Sequence, residues 1–227
     1  MGERTSRVQL DFGVVLERWP ELAWGTLGTI WLALAGMTLA LVIGIAGVAV
    51  LRGKNRIGHA IVRTFVEVIR NTPFLVQIFF IFFALPLAGI RLNPTATAIL
   101  ALGLNGGAYA VEIIRGGVDA IPQGQTEAGL ALGLRPSEVF RFIIIKPALR
   151  SIYPSLVSQF IMLTLTTSIA TSISAYELTS VAQRIDGDTF RTFEVYFTIT
   201  VIYLGISWLM MLMFAAIARR AFAYPTR

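Results

Sequence analysis

The sequence contains no cysteine and a single histidine, His59. Without thiols it forms neither disulfides nor thiolate metal sites, and one histidine leaves little scope for a histidine-based metal centre. It also lacks the GxxxxGK[ST] phosphate-binding loop, so we expect no ATP hydrolysis by this chain alone. No motif in the sequence arranges a nucleophile and a general base for catalysis. We therefore expect no catalytic residue, no metal site and no cofactor in this chain.

Charge is scarce as well: 14% of the 227 residues are charged and 56% are hydrophobic, whereas a soluble domain has about 25% charged residues. A chain of this length cannot bury so much apolar surface in one core, so the surplus must face lipid. The net charge of +6 could suggest nucleic acid, but the basic residues flank apolar stretches, which favours a topogenic role. We predict an integral membrane protein without a nucleic-acid partner.

Five apolar stretches are long enough for transmembrane helices, each of which needs about 20 residues. They lie at about 26–51, 73–90, 94–114, 152–176 and 193–218. The predicted fold is all-α, a single polytopic membrane domain over residues 1–227. Residues 1–21 mix acids and bases without a long apolar run, unlike a signal peptide.

The basic residues are divided unequally between the two sides of these spans. One side holds 13 of them: Arg52, Lys54, Arg56, Arg63, Arg70, Arg115, Arg135, Arg141, Lys146, Arg150, Arg219, Arg220 and Arg227. The other side holds 6: Arg4, Arg7, Arg18, Arg91, Arg184 and Arg191. Because cytoplasmic loops carry the excess of basic residues, we predict an outside N-terminus, a cytoplasmic C-terminus and a cytoplasmic loop at 115–150.

A charged segment precedes the second span. Its polar residues recur at spacings of 4, 4 and 3: His59, Arg63, Glu67 and Arg70. The residues expected on its apolar side are Ile57, Ile61, Phe65 and Val68. This pattern predicts an amphipathic helix in which Glu67 can pair with Arg63 or Arg70. We interpret the polar side as a solvated face at the membrane surface rather than a specific contact surface.

The loop between the third and fourth spans reads GQTEAGLALGLRPSEVFRFIIIKPALR at 124–150. It predicts two short helices: Gly133 ends the first in a left-handed conformation, and Pro136 lies in the first turn of the second. Leucines ringed by charge are typical of a docking surface. A plain connection would need only a few residues.

This stretch resembles the EAA motif of the membrane subunits of bacterial ABC importers: Glu-Ala-Ala, three residues, Gly, nine residues, then Ile-x-Leu-Pro. Here Glu127, Ala128 and Gly129 are followed at the same spacing by Gly133 and by the isoleucines 143–145. Three further stretches resemble the polar amino-acid branch of that family: WGTLGTIWLALAGM (24–37), RNTPFLVQIFFIFFALP (70–86) and AYAVEIIRGGVDAIPQGQTEAGLALG (108–133). The resemblance covers most of residues 20–220.

The resemblance implies a permease subunit of an ATP-driven importer of polar amino acids in the bacterial inner membrane. The implied residues that couple it to the ATPase are Glu127, Ala128, Gly129, Leu132, Gly133 and Leu134. The implied partners are two ATP-binding cassette subunits, which would hold ATP and magnesium, a second permease subunit, an extracytoplasmic solute-binding protein and membrane lipid.

The sequence departs from the family pattern at three places. Gly129 replaces the second alanine of the motif. Lys146 occupies the expected proline position and Pro147 follows, so the helix break is expected to move by one residue. In the fourth span the family often has Leu-Lys-Asp-Thr-Ser-Leu, whereas this chain has TLTTSI at 164–169. Both charged positions are absent, which argues against a charge-based substrate contact there.

Candidate substrate-pathway residues lie in the third span. Asn105, Tyr109 and Glu112 recur at spacings of 4 and 3 and therefore share one helix face. Asn105 and Tyr109 suit a site within the membrane, while Glu112 either lies on the pathway or pairs with Arg115. Glycines that permit close helix approach lie nearby: Gly103, Gly106 and Gly107.

The fourth span adds hydroxyl groups. The candidate pathway residues there are Thr164, Thr167, Ser168 and Thr171. Their hydroxyls either bond within and between helices or line a passage that binds the ammonium and carboxylate of an amino acid. Outside the membrane, Asp186 and Asp188 flank Gly187, which predicts a turn.

Two other functional classes stay open from the residues alone. An ion-coupled secondary transporter usually has internal repeats and more spans, and no repeat is evident here. A channel or scaffold subunit would leave the glycine-hinged loop without a role. Within the importer class the sequence does not name the amino acid, an opine or compatible solute stays open, and the second permease subunit is either identical or related.

Overall fold

The computed structural model describes residues 10–221, and this part of the chain is helical without a β-strand. In chain order the α-helices are α1 Gly13–Glu17, α2 Trp19–Arg52, α3 Arg56–Arg70, α4 Phe74–Leu87, α5 Pro94–Asp119, α6 Gln123–Ala131, α7 Pro136–Glu138, α8 Ile145–Thr166, α9 Leu178–Thr189 and α10 Thr192–Ala221. A π-helical segment, Val139–Ile144, joins α7 to α8, and a 3-10 helix, Thr167–Ile173, follows α8. The predicted sides of the two termini, with Arg4, Arg7 and Arg227, lie outside the described residues.

Within residues 10–221, four helical runs are long and apolar enough to cross a membrane: α2, α5, the run Pro136–Ile173, and α10. Helices α3 and α4 meet the same criterion only together, and they are bent by 113°. The 14 residues of α4 rise about 21 Å, too little for a hydrocarbon layer of about 30 Å. The all-α membrane fold is confirmed, and the predicted second span is the distal half of a broken one.

Helices α2 and α5 form the centre of the bundle and pack closely because glycines face the partner helix. A methyl group on Gly107 would lie 2.6 Å from Ile43 Cγ2, and one on Gly106 would lie 3.0 Å from Ala40 Cβ. A methyl group on Gly103 would collide with Leu39. Small residues permit such approach between membrane helices. The close packing predicted for the glycines of the third span is confirmed.

Helix α3 begins where α2 and α5 end, beside an ion pair between Arg52 and Asp119 at 2.8 Å. We call this end of the bundle the basic end; it is the predicted cytoplasmic side. From there α3 runs back along α2, so that a methyl group on Gly47 would lie 3.6 Å from Val62 and one on Gly58 would lie 2.9 Å from Val50.

Of the four residues predicted on the apolar side of α3, Phe65 packs into the bundle and the other three lie on its outer surface. Ile57, Ile61 and Val68 are exposed by 72%, 64% and 54%. The side chains that face α2 and α5 instead are Val62, Phe65, Val66 and Ile69. The reason is that α3 lies in the cleft between two helices with its charged side turned toward α5, so the packed face is rotated away from the isoleucines. Those isoleucines are left on the outer surface of the bundle.

The fourth span ends differently from the prediction of a helix to residue 176. The α-helix stops at Thr166, a 3-10 helix continues to Ile173, and Ser174 adopts a left-handed conformation with φ of 60°. Side chains in a 3-10 helix repeat every three residues rather than every 3.6. Ser168 and Thr171, three residues apart in the 3-10 helix, therefore lie on one face of it, and the face that they were predicted to share with Thr164 stays a prediction.

The turn predicted at Asp186, Gly187 and Asp188 is also wrong, because these residues lie inside α9. Packing overrides their turn propensity: on the same helix, Val181 and Ile185 are fully buried against α2 and α10. The two acidic side chains instead form a hydrogen bond and an ion pair with other segments. Asp186 accepts a hydrogen bond from Thr192 at 2.8 Å, and Asp188 pairs with Arg18 at 3.2 Å.

Candidate functional site

The loop at the basic end is a jointed segment, as the sequence predicts. Two residues that follow α6 donate hydrogen bonds back to its last turn. Gly133 N donates to Leu130 O at 2.9 Å, and Leu134 N donates to Gly129 O at 3.2 Å. Gly133 has a φ of +82°, the left-handed conformation that this helix ending requires. The next helix begins at Pro136, and its Glu138 accepts a hydrogen bond from Arg135 N at 2.7 Å. The predicted roles of Gly133 and Pro136 in the bend are confirmed.

Helix α6 packs directly on the π-helical segment that leads into α8. A methyl group on Gly129 would lie 2.6 Å from Ile143 Cδ1 and 2.9 Å from Val139 Cγ2. An alanine there would require one of these side chains to move, which gives a physical reason for glycine at this motif position. Helix α6 is therefore in direct contact with the π-helical segment that leads into α8.

The helix break expected near Lys146 and Pro147 is absent. The chain stays helical from Pro136 to Ile173, with a π-helical segment just before Pro147. Proline has no N–H to bond the residue four positions earlier, and the π turn, which bonds five positions back, ends just before it. Between α6 and α8 the chain is non-helical only at residues 132–135.

The coupling residues predicted from the motif form an exposed apolar ridge with one carboxylate. Leu132 is exposed by 80% and Leu130 by 46%. Glu127 and Ala128 are also exposed, Leu134 is half-buried, and Gly129 is buried against the π-helical segment. The surface is thus accessible at the basic end of the bundle.

A cavity of about 760 Å³ opens between α2, α3 and α5 near the basic end. It is lined by Val48, Leu51, Arg52, His59, Arg63, Val66, Glu67, Arg70, Asn71, Tyr109, Glu112, Arg115 and Asp119. The polar side of α3, predicted to be a solvated face, thus forms one wall. The predicted pathway residues Tyr109 and Glu112 lie on the opposite wall. His59 is bound at the rim, with Nε2 2.9 Å from Gly53 O.

Most charges in this cavity are already paired. Glu112 accepts two hydrogen bonds from Arg115, both at 3.1 Å, and lies 3.4 Å from Arg70. Arg115 also pairs with Asp119 at 3.2 Å, and Arg70 lies over the ring of Tyr109, 5.4 Å from its centroid. Glu112 therefore pairs with Arg115 and also lines the cavity, and its role on a substrate pathway stays a prediction.

Arg63 and Glu67 differ from these residues. They stand one turn apart on α3 and line the cavity, yet neither side chain has a hydrogen-bond or ion-pair partner among residues 10–221. The predicted pairings of Glu67 with Arg63 and Arg70 do not form, since Arg70 is drawn to Glu112. An unpaired cation and an unpaired anion therefore face the same space.

Asn105 lies deeper along α5 and is held by a residue that the sequence did not single out. Its Nδ2 donates to Gln77 Oε1 at 2.9 Å. Gln77 is only 8% exposed and lies at the bend between α3 and α4. A lone amide within the apolar stretch of residues 74–87 was the available signal, because polar groups inside a membrane are costly and need partners.

The hydroxyl groups of the fourth span are satisfied internally. Thr164 donates to Phe160 O at 2.9 Å, and Thr167 donates to Thr164 O at 2.6 Å. Both residues are buried. Ser168 donates to Leu165 O at 2.8 Å, and Thr171 to Gln183 Oε1 at 3.2 Å. None of the four lines the charged cavity, and their pathway role stays a prediction.

A helical bundle with a broken span, a charged cavity and a jointed loop at one end is the architecture of a membrane transport subunit. Residues 36–223 match the family of binding-protein-dependent transport system inner membrane components, and the chain belongs to this family. It is a multi-pass inner-membrane permease subunit of an ABC importer. This membership confirms the importer prediction over the secondary-transporter and channel alternatives.

Individual relatives are similar over nearly the whole chain. A glutamine transport system permease protein of Escherichia coli is 38% identical over 216 residues, covering 94% of this chain and 98% of the relative. An L-cystine transport system permease protein of Bacillus subtilis is 35% identical, covering 92% and 90%. A nopaline transport system permease protein of Agrobacterium fabrum is 32% identical, covering 88% and 87%.

Solved structures agree with the fold. A chain of an amino acid ABC transporter crystallised with histidines matches with a TM-score of 0.88 and 29% identity, covering 94% of this chain and 100% of that one. A methionine ABC transporter in inward-facing conformations matches with a TM-score of 0.73 at 20% identity, covering 93% and 99%. The second likeness concerns the fold alone.

Proposed function

We propose that this permease carries amino acids, and that the charged cavity is part of their passage. The observation that supports this substrate class is the unpaired Arg63 and Glu67 on one wall of the cavity. Side chains four residues apart on a helix are neighbours, with Cβ atoms about 5–6 Å apart. An amino acid presents a carboxylate and an ammonium on one carbon, so these two side chains can meet both charges. Relatives named for glutamine and L-cystine transport support the same class.

The passage continues along α5 from Tyr109 to Asn105. Glu112 contributes by holding Arg70 and Arg115 in place at the cavity wall. The hydroxyls of Thr164, Thr167, Ser168 and Thr171 belong to the deeper part of the pathway, where a substrate would have to replace their present hydrogen bonds. A single chain leaves the cavity open on one side, so a second permease subunit, identical or related, completes the enclosure.

ATP hydrolysis by the partner subunits is coupled to transport through the jointed loop at the basic end, which is cytoplasmic in this proposal. Two ATP-binding cassette subunits bind ATP and magnesium, and this chain holds no cofactor itself. Each ATPase receives the ridge formed by Leu130 and Leu132, with Glu127 available to a basic partner residue. Gly133 sets the angle of α6, and Gly129 passes its movement to α8. A solute-binding protein delivers substrate at the opposite end.

The substrate class is tested by direct binding. The permease is purified with the ATPase subunits that accompany it, without the solute-binding protein, and titrated with a panel of amino acids. At least one should bind, and Arg63→Gln or Glu67→Gln should weaken binding about tenfold or more, because a hydrogen bond to a charged group contributes about 1.5–3 kcal/mol. Arg56→Gln is the matched control, since Arg56 is an exposed arginine of α3 outside the cavity lining.

Transport supplies the second readout. In proteoliposomes with the solute-binding protein, uptake of the bound amino acid should require ATP and should fall in the Arg63 and Glu67 variants only. Binding unchanged in both variants would remove these residues from the passage. Uptake that persists without the ATPase subunits would contradict the proposed energy source.

A further inference from the structure

The break between α3 and α4 has its own set of hydrogen bonds. After Arg70, Asn71 Nδ2 donates back to Glu67 O at 2.8 Å and Thr72 Oγ1 donates to Val68 O at 2.9 Å. Pro73 then interrupts the helix because it lacks an N–H. The carbonyls at a helix end have no partner within the helix, so each needs a hydrogen-bond donor from outside it.

One side chain of α4 donates to two further carbonyls at the bend. Gln77 Nε2 donates to Ile69 O at 2.7 Å, to Thr72 O at 3.0 Å and to Thr72 Oγ1 at 2.8 Å. Because Thr72 Oγ1 already donates to Val68 O, all three neighbours are acceptors, and the nitrogen of the Gln77 amide must face them. A residue of α4 thus holds the end of α3 at the bend.

The other end of the same amide reaches α5. Gln77 Oε1 accepts the hydrogen bond from Asn105 Nδ2 at 2.9 Å. The side chain is nearly buried, with 8% exposure, so the bonds are protected from solvent. One glutamine therefore connects α3, α4 and α5 at the bend.

The bend lies directly behind the cavity, since Arg70 and Asn71 are both cavity-lining residues. We propose that Gln77 is a positioning residue, which sets the charged wall of α3 against α5 and so fixes the spacing at which the cavity recognises its substrate. Gln77 acts through α3 and does not itself line the cavity. The claim that Gln77 affects substrate recognition rests on the proposed function. The claim that Gln77 fixes the bend between α3 and α4 is independent of that function.

The geometric part is tested with spin labels. The chain has no native cysteine, so single cysteines at Ile57 and Leu87, which are 72% and 90% exposed, label the start of α3 and the end of α4 in the purified transporter. In Gln77→Leu the distance distribution between the labels should shift or broaden. In Asn105→Ala it should stay as in the wild type, because the bonds from Gln77 to α3 are retained. Gln159→Leu, a half-buried glutamine of α8, is the control.

The functional part is tested by the affinity for the amino acid that the wild type binds. Gln77→Leu should weaken binding about tenfold, the equivalent of one or two net hydrogen bonds, while Gln159→Leu should not. Should Gln77→Leu fail to assemble, Thr72→Val removes one acceptor and should give a smaller change in the same direction in both measurements.

The outcomes separate the two proposals. A Gln77→Leu distance distribution identical to that of the wild type, or an equal change in Gln159→Leu, would overturn the positioning role. A changed distribution with unchanged affinity would overturn the link between the bend and the cavity. A wild type that binds no amino acid would overturn the proposed function, while a changed distribution in Gln77→Leu would still support the bend.

Discussion

At the scale of single residues, Gly129 lies at a position of the coupling loop that has no room for a larger side chain. It stands where the resembling motif has alanine, and its Cα faces Val139 and Ile143 across the contact between α6 and the π-helical segment. Overpacking of such a contact typically costs about 1–3 kcal/mol. Alanine, which the family pattern has at this position, is thus expected to destabilise the contact between α6 and the π-helical segment in this chain.

We expect Gly129→Ala to displace α6 and to reduce the substrate uptake obtained for each ATP hydrolysed, although alanine restores the motif. The measurement is ATP hydrolysis and uptake by the same reconstituted complex. Gly124→Ala is the matched control on the same helix, because a methyl group there would meet nothing within 4 Å. Equal coupling in Gly129→Ala and the wild type would show that the contact does not transmit movement.

At the scale of helices, α9 depends on an unusual start. Glu177 is fully buried, and its carboxylate accepts hydrogen bonds from Thr179 N at 2.8 Å and Ser180 N at 2.6 Å. Tyr203 of α10 donates to it at 2.8 Å. Burial raises the pKa of the Glu177 carboxyl, and these hydrogen bonds act in the opposite direction. Glu177 therefore both caps α9 and ties it to α10.

Replacing Glu177 with glutamine should lower the thermal stability of the purified protein, because the amide nitrogen would face groups that donate hydrogen bonds. The expected loss is about 1–2 kcal/mol, the usual contribution of a helix N-cap, measured by thermal unfolding in detergent. Tyr203→Phe should cost less, since it removes only one donor. Glu17→Gln, an exposed glutamate of α1, serves as control, and an equal effect there would contradict the capping role.

At the scale of the whole molecule, the two ends of the bundle differ in chemistry. The basic end holds Arg52, Asp119 and the loop from α6 to α7. The opposite end holds the connection from α4 to α5, with Leu87 exposed by 90%. Basic residues concentrate on the cytoplasmic side of membrane proteins, so this difference predicts that the basic end is cytoplasmic.

We expect a cysteine at Leu132 to react with a membrane-impermeant thiol reagent only after the membrane is opened, and a cysteine at Leu87 to react in intact cells. Both positions are exposed, and the absence of native cysteine keeps the background low. Docking of the ATPase subunits should in addition protect the Leu132 position. The reverse pattern of labelling would invert the proposed orientation.

Prediction from the sequence succeeded where structure is local. The left-handed Gly133 and the helix start at Pro136 follow from the backbone preferences of single residues, and the shared face of Asn105, Tyr109 and Glu112 follows from a regular helix. It failed at Asp186 to Asp188, where burial of Val181 and Ile185 prevails over turn propensity. It also failed after Thr166, where no residue type in the sequence indicates the change to a 3-10 helix.

The sequence by itself determined that this is an all-α membrane protein with a jointed loop at its basic end, because hydropathy, charge distribution and turn chemistry act over short stretches of chain. Only the tertiary structure decided that the second span is broken, that Gln77 meets Asn105 across 28 residues of sequence, and that Arg63 and Glu67 face a cavity instead of each other. These features depend on contacts between distant segments. The free energy of such contacts depends on how the whole bundle packs, and a local sequence pattern does not encode that packing.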